Sequence, residues 1–226
     1  MHQKKSDPNK SFDKDSSICY IYKKTGACLG GIMKNCCLLH HVQNQINRCI
    51  VFHHLYPNPK FFASFFSEND KPIIDPIQEQ QGLDAFFMDI YLEVEVFGKV
   101  EDMIISGNIS RHLYGNVYVR FVDPASALAC MIALQGRYYA GRKVVASFVP
   151  TNKLSSIKCK DNEGSTCIHE DKCHFVHPLK ISPHVLMQAF PRSHFMIPDK
   201  LRDAPKNIVY DSPDDLLYGR SRLLKR

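Results

Sequence analysis

Three cysteines and one histidine between Cys159 and His177 stand in the order C-x7-C-x5-C-x3-H. Zinc takes four thiolate or imidazole ligands in a tetrahedron, and this set suits it. The segment CKDNEGSTCIHEDKCHFVH has almost no apolar content of its own, so metal is expected to hold it folded. A second cluster lies near the other end of the chain. Cys19, Cys28, Cys36 and His40 read C-x8-C-x7-C-x3-H, and Cys37 with His41 repeats the last spacing one residue later. Cys36 with His40 is the preferred pair, with Cys37 and His41 as the alternative register. Two Zn2+ per chain are therefore expected. Four protein ligands leave no open coordination position, so the metals should organise the chain and not catalyse.

Between the clusters the pattern alternates strand and helix. Asn47–Tyr56 is rich in Ile, Val, Phe and Tyr and reads as a strand ended by Pro57-Asn58-Pro59. Lys60 to Pro76 reads as an irregular loop. Leu83, Phe86, Phe87, Ile90, Val94 and Phe97 then recur at helical spacing from about Ile77 to Phe97, where Gly98 stops the helix. Strands are expected at Val100–Ser106 and Tyr114–Phe121, separated by a Gly107-Asn108 turn. Pro124 starts a second helix to Leu134, burying Ala127, Leu128, Met131 and Leu134. The loop Gln135–Gly141 leads to a last strand at Lys143–Phe148. The order β-α-β-β-α-β is the split arrangement of RNA recognition motifs. The expected fold is α+β: an RNA-recognition-motif-like domain flanked by two CCCH zinc fingers. The divisions are a disordered arm at 1–16, finger 1 at 17–43, the central domain at 44–150, finger 2 at 151–180, and a C-terminal helix and basic tail at 181–226.

The central sheet lacks most of the aromatics that an RNA platform of this kind needs. In the octet YGNVYVRF, Asn116 stands where an exposed aromatic belongs, though Tyr118 keeps its place, and Val51 occupies the stacking position on the first strand. The central domain is thus expected to bind something else. Asp89 and Glu93 are four apart on one helix face, and the loop carries Arg137-Tyr138-Tyr139. Such a pair can grip a peptide, with an aromatic stacking on an inserted tryptophan and carboxylates pairing with flanking basic residues. The alternative is that Tyr139 packs in the core and the acids form a solvated face. In the first finger, Tyr20, Tyr22, Lys23 and Lys24 fit base stacking with phosphate contact, or equally a packed finger with solvated lysines. Lys160 joins the candidate RNA-contact set.

The polar start and the lack of an eighteen-residue apolar run argue against a signal peptide and a membrane span. Nine cysteines, an odd count, favour metal in a reducing compartment over a disulfide framework. A net charge of +6 suits an anionic partner without proving one. His53, His54 and His112 have no acid, cysteine or glycine-rich motif around them in a catalytic arrangement, so no enzyme is expected. Cys49 and Cys130 read as buried inert thiols.

Together these residues resemble the small subunit of the U2 auxiliary factor of pre-mRNA splicing, over roughly Cys19 to Ser182. The order finger, U2AF homology motif, finger carries the resemblance. So do the local stretches KTGAC, LYPNP, DAFF, HLYGNVYVRF and HPLKIS, and the tail LYGRSRLLKR. The resemblance implies a non-catalytic nuclear subunit. Its fingers would act together on the 3′ splice site AG, and its central domain would bind a tryptophan-bearing, proline-rich segment of the large subunit. Contacts with other spliceosome proteins are implied, and a membrane is not. By position, Arg137 and Tyr139 match the family's Arg-x-Phe loop, Asp89 and Glu93 its helix acids, and Lys24 and Phe175 a basic and an aromatic finger position.

The chain also departs from the family. Tyr138 stands where many members have a tryptophan, the first finger has x7 where the family has x5, and Ile21 replaces an aromatic. Leu29 and Ile168 replace polar or basic residues, and the only Arg-Ser run is Arg220-Ser221-Arg222. The competing reading is a zinc-stapled protein-interaction adaptor without sequence-specific RNA binding. A paralogue acting on minor-class introns is a third.

Overall fold

A computed structural model describes residues 19–28, 45–162 and 166–190, with the two-residue strands Ile208–Val209 and Arg222–Leu223. The expected arm 1–16, the ligand candidates Cys36, Cys37, His40 and His41, and most of the basic tail lie outside the described residues.

The strands of the central domain are β1 (Cys49–Phe52), β2 (Val100–Ile105), β3 (Val117–Phe121), β4 (Tyr138–Tyr139), β5 (Arg142–Lys143) and β6 (Ala146–Phe148). Four of them form an antiparallel sheet in the order β2-β3-β1-β6. With the helices Pro76–Glu95 and Pro124–Leu134 crossing between strands, this is the expected β-α-β-β-α-β domain. Both helices begin at a proline after an aspartate, a placement that wastes no hydrogen bond because the first helical N–H has no partner.

Alternation along the strands builds two cores. Ile50, Phe52, Met103, Ile105, Val117, Val119 and Phe121 face the helices, meeting Leu83, Phe86, Phe87, Ile90 and Val94 of the long helix. The intervening residues Cys49, Val51, Ile104 and Tyr118 face the opposite way. They are buried too, in a second core with Ala27, Leu113, Leu154, Ile157 and Val176. Tyr118 is 0% exposed, so its ring is not offered to a base as the sequence position suggests.

Several boundaries differ from expectation for local reasons. The first strand ends at Phe52, because His54 takes a left-handed φ of 54°. The expected loop after Tyr56 opens with a short helix, Pro59–Ala63, whose N-cap Asn58 accepts from the Lys60 N–H at 3.0 Å. Capping outweighs the prolines here, since Pro59 sits at the helix's first turn. The third strand starts at Val117 and not Tyr114. Gly115 turns there at φ 63°, and the Tyr56 N–H donates to its carbonyl at 2.9 Å. The last strand is split: β4 pairs with β5 in a small hairpin, and only β6 joins the main sheet. Cys130 takes an inward place beside Ala127 and Leu134, while Leu128 and Met131 are only partly covered. Past the second cluster, the helix Pro183–Ala189 packs on the long helix, with Phe190 edge-on to Tyr91 at 5.1 Å.

Candidate metal centre, RNA-facing junction and peptide groove

Cys159, Cys167, Cys173 and His177 converge, with one ligand atom from each lying within 4.8 Å of all the others. A zinc tetrahedron with bonds of about 2.3 Å would place sulfurs roughly 3.8 Å apart, so a small contraction suffices. Three of the four are buried. The Nε2 of His177 is buried with no hydrogen-bond partner, an orphaned acceptor that a metal would satisfy. Burial pushes the Cys173 thiol up to about 12. The donor set and its geometry fit zinc.

The central domain holds this cluster from beneath. Asn108, 0% exposed, donates through Nδ2 to the carbonyls of Cys173 at 3.1 Å and Phe175 at 3.0 Å. Its Oδ1 accepts from the His177 N–H at 2.8 Å and the Ser106 hydroxyl at 2.9 Å. One side chain thus fixes the backbone of the whole C-x3-H turn. The Gly107 N–H donates to the His177 carbonyl at 2.7 Å, and a Cβ there would lie 3.2 Å from that carbonyl and 2.8 Å from Leu179. The chain then runs along the edge of β2, where the Leu179 N–H donates to Ile105 at 2.9 Å.

Of the first cluster, the described candidates are Cys19 and Cys28, whose sulfurs lie 3.5 Å apart, close to the spacing that two thiolates on one zinc would have. Between them runs the helix Tyr20–Thr25. Cys19 caps it by accepting from the Tyr22 N–H, and Gly26 ends it at φ 69° against Val149. That helix presents Tyr20, 53% exposed, edge-on to Phe175 of the second cluster, with ring centroids 6.4 Å apart. The Lys24 ammonium sits 5.8 Å over the same Tyr20 ring. Lys23 and Lys160 are exposed, and Tyr22 is partly buried.

On the other side of the domain, a cavity of about 220 Å3 opens between the long helix and the hairpin, floored by Phe52, Leu55, Ile90 and Val94. Its rim brings together all five residues expected there. The Tyr139 hydroxyl donates to Asp89 at 2.6 Å, and Arg137 pairs with Glu93 at 3.1 Å. Tyr138 stands 72% exposed at the mouth. Burial together with the Asp89 carboxylate pushes the Tyr139 hydroxyl up to about 12, so it stays a donor. Tyr139 packs edge-on against Phe86 at 5.7 Å and also lines the cavity.

Known proteins are similar to this chain over most of its length. The chain is 32% identical to "Splicing factor U2AF 23 kDa subunit" of Schizosaccharomyces pombe over 174 residues, 77% of this chain and 76% of that protein. It is 30% identical to "Splicing factor U2AF 26 kDa subunit" of Bos taurus over 80% of this chain and 86% of that one. The chain belongs to the U2AF small subunit family. It is also 32% identical to a U2AF small-subunit splicing factor of Arabidopsis thaliana across 80% of its length, spanning 62% of that longer relative. No protein-family model matches. Among solved structures, an Rna15 RRM with bound RNA aligns over 53% of this chain at 11% identity and a TM-score of 0.29. At that score the fold assignment rests on strand order instead. Among the described residues no helix is long and apolar enough to cross a membrane.

Asn108, which supports this U2AF-family finger, appears in the sequence only as half of a Gly-Asn turn. His53, His54 and His112 likewise carry no sequence signal of a role. His53 hydrogen-bonds Ser147 at 2.8 Å, and burial pulls its ring down to about 4, so it is neutral. Cys49 and Cys130 are the inert thiols expected, both pushed up to about 12 by burial.

Proposed function

We infer that this chain is a non-catalytic nuclear splicing subunit that reads the 3′ splice site AG with two zinc-organised fingers. Its central groove takes a tryptophan-bearing segment of a large subunit. The observation that carries this reading is the closed sheet. Because Leu154, Ile157 and Val176 cover the face on which an RNA recognition motif would stack bases, RNA contact falls to the junction of the fingers, where Tyr20 meets Phe175. Zinc, bound by Cys159, Cys167, Cys173 and His177 and by Cys19 and Cys28 with Cys36 and His40, would lock the two loops. Tyr20, Tyr22 and Phe175 would supply stacking surfaces, and Lys23, Lys24 and Lys160 positive charge. Tethering two weak contacts on one scaffold raises their joint affinity by effective concentration.

The groove supports the partner half of the reading. An apolar floor with an aromatic wall and two carboxylates on the rim matches an aromatic side chain flanked by basic residues. Tyr138 at its mouth takes the place of a family tryptophan, so the outer contact with partner prolines is reshaped. The test is calorimetric titration of the zinc-loaded chain with a tryptophan-containing peptide from a candidate large subunit. Micromolar binding, abolished when the tryptophan becomes alanine, is expected. No binding at micromolar concentration overturns the partner half.

A further inference from the structure

A larger cavity, of about 830 Å3, lies between the first finger's helix and the turn that follows β1. Its chemistry is the opposite of the peptide groove's. Among the described residues no carboxylate lines it, while Arg142 and Lys143 do, beside histidine and aromatic rings. Tyr114 and His54 form part of its wall and continue a column of three rings that begins at the buried Phe61 behind them. Phe61 stacks on Tyr114 at 3.6 Å and an interplanar angle of 1°, and Tyr114 stacks on His54 at 4.2 Å and 18°. Phe62, 41% exposed, stands next to the column with the Arg142 guanidinium 5.5 Å above its ring.

His54 is held there at some expense. It sits in the left-handed region at φ 54°, which a β-carbon disfavours, and its N–H is anchored to Asn116 Oδ1 at 3.0 Å. Its Nδ1 lies 2.9 Å from the Tyr114 carbonyl, which can only accept, so the proton is on Nδ1. Burial pulls the ring's pKa down, leaving a neutral imidazole whose Nε2 carries a lone pair. The ring therefore offers a stacking face for a base and one in-plane acceptor for a hydroxyl.

We propose that this cavity binds a nucleotide of single-stranded RNA outside the finger junction, the base stacking on the His54 face that ends the column, His54 Nε2 accepting in the ring plane from the ribose 2′-hydroxyl of a neighbouring nucleotide, and the phosphate meeting Arg142 and Lys143. The inference rests on the RNA-binding reading above. Cationic residues without carboxylates favour RNA over a peptide of the kind suited to the acidic groove. Tyr22 of the first finger also lines the cavity, two residues along the same helix from Tyr20 at the junction.

The test uses the full zinc-loaded chain with its large-subunit peptide. The probes are a UAG trinucleotide and a UAG-containing RNA several nucleotides longer, the latter carrying 4-thiouridine outside the UAG. His54→Asn tolerates the left-handed backbone, and Arg142→Gln keeps length. Both are expected to weaken the longer RNA about tenfold while leaving the trinucleotide unchanged. Arg142→Gln should also lower the salt dependence by about 0.7 in slope. Crosslinks from the wild-type chain are expected within residues 53–62 and 142–147. Unchanged affinity for the longer RNA with crosslinks confined to 19–28 and 159–177 overturns the inference and leaves the finger reading standing. Absence of any RNA binding by the wild-type chain overturns both.

Discussion

Replacing Asn108 with alanine should uncouple the second finger from the domain that carries it. The side chain makes four hydrogen bonds, three of them to the backbone of Cys173, Phe175 and His177. Truncation strands the Phe175 carbonyl, the His177 N–H and the Ser106 hydroxyl and leaves the Cys173 carbonyl only the Ser110 hydroxyl at 3.4 Å; each unsatisfied group costs about 1–3 kcal/mol. Water filling the vacated space recovers part of this, so the net loss is about 3–5 kcal/mol, a large fraction of a typical domain's stability. The effect should reach the metal. Because Cys173 and His177 both hang from the turn that Asn108 fixes, zinc affinity should fall about 10- to 100-fold, the usual consequence of removing a supporting contact behind a ligand. Competition against a chromophoric zinc chelator measures the affinity, and thermal unfolding with and without excess zinc measures the stability. Asn108→Asp, which keeps the acceptor but loses the donor, should fall between. An alanine variant with unchanged zinc affinity and unchanged unfolding temperature would refute the claim that the domain pre-shapes the finger.

The other predictions are more local. Gly115→Ala places a Cβ 2.0 Å from the Tyr56 carbonyl oxygen at φ 63°, so urea denaturation should show a loss of roughly 2–5 kcal/mol. In the groove, Tyr139→Ala should weaken the tryptophan peptide by more than about 30-fold. The exposed acids Asp89→Asn and Glu93→Gln should each cost only about 1.5- to 5-fold, an effect fading in high salt; calorimetry at two ionic strengths separates them. His53 titrates near 4 when folded and near 6.5 when free, so the unfolded chain takes up the proton first. Its contribution to stability is complete above pH 6.5 and lost as pH falls from there toward 4. His53→Gln should remove that part of the decline, and equal declines in both proteins would contradict the assignment.

Much of this protein is legible in its sequence because its signals are local. Ligand spacing from Cys159 to His177, the helical stripe from Leu83 to Val94 and the proline-led helix at Pro124 all come from residues a few positions apart, and all appear where expected. Asp89 with Tyr139 and Glu93 with Arg137 meet across 50 and 44 residues, and resemblance anticipated their shared site. What was not legible depends on contacts between distant segments. Nothing near Asn108 announces that residues 65 and 67 positions later will use its amide. Tyr118 and Val51 read as positions on an open face because they alternate correctly. Their burial is set by Leu154, Ile157 and Val176 arriving from beyond the last strand. A signal was present in the strands themselves: CIVF, with Cys49 and Val51 as apolar as Ile50 and Phe52, lacks the polar alternation of a solvent-facing sheet.

On this reading the two fingers form one RNA-reading surface on a sheet closed to RNA. Fluorescence anisotropy of the zinc-loaded chain, with its large-subunit peptide, against a short UAG-containing RNA and its UCC counterpart tests it directly. Salt-sensitive binding that prefers UAG is expected, falling roughly 5- to 100-fold in Phe175→Ala, as loss of one stacked base requires. Equal affinity for the two RNAs, or a Phe175→Ala variant that binds as tightly as the wild type, would contradict it.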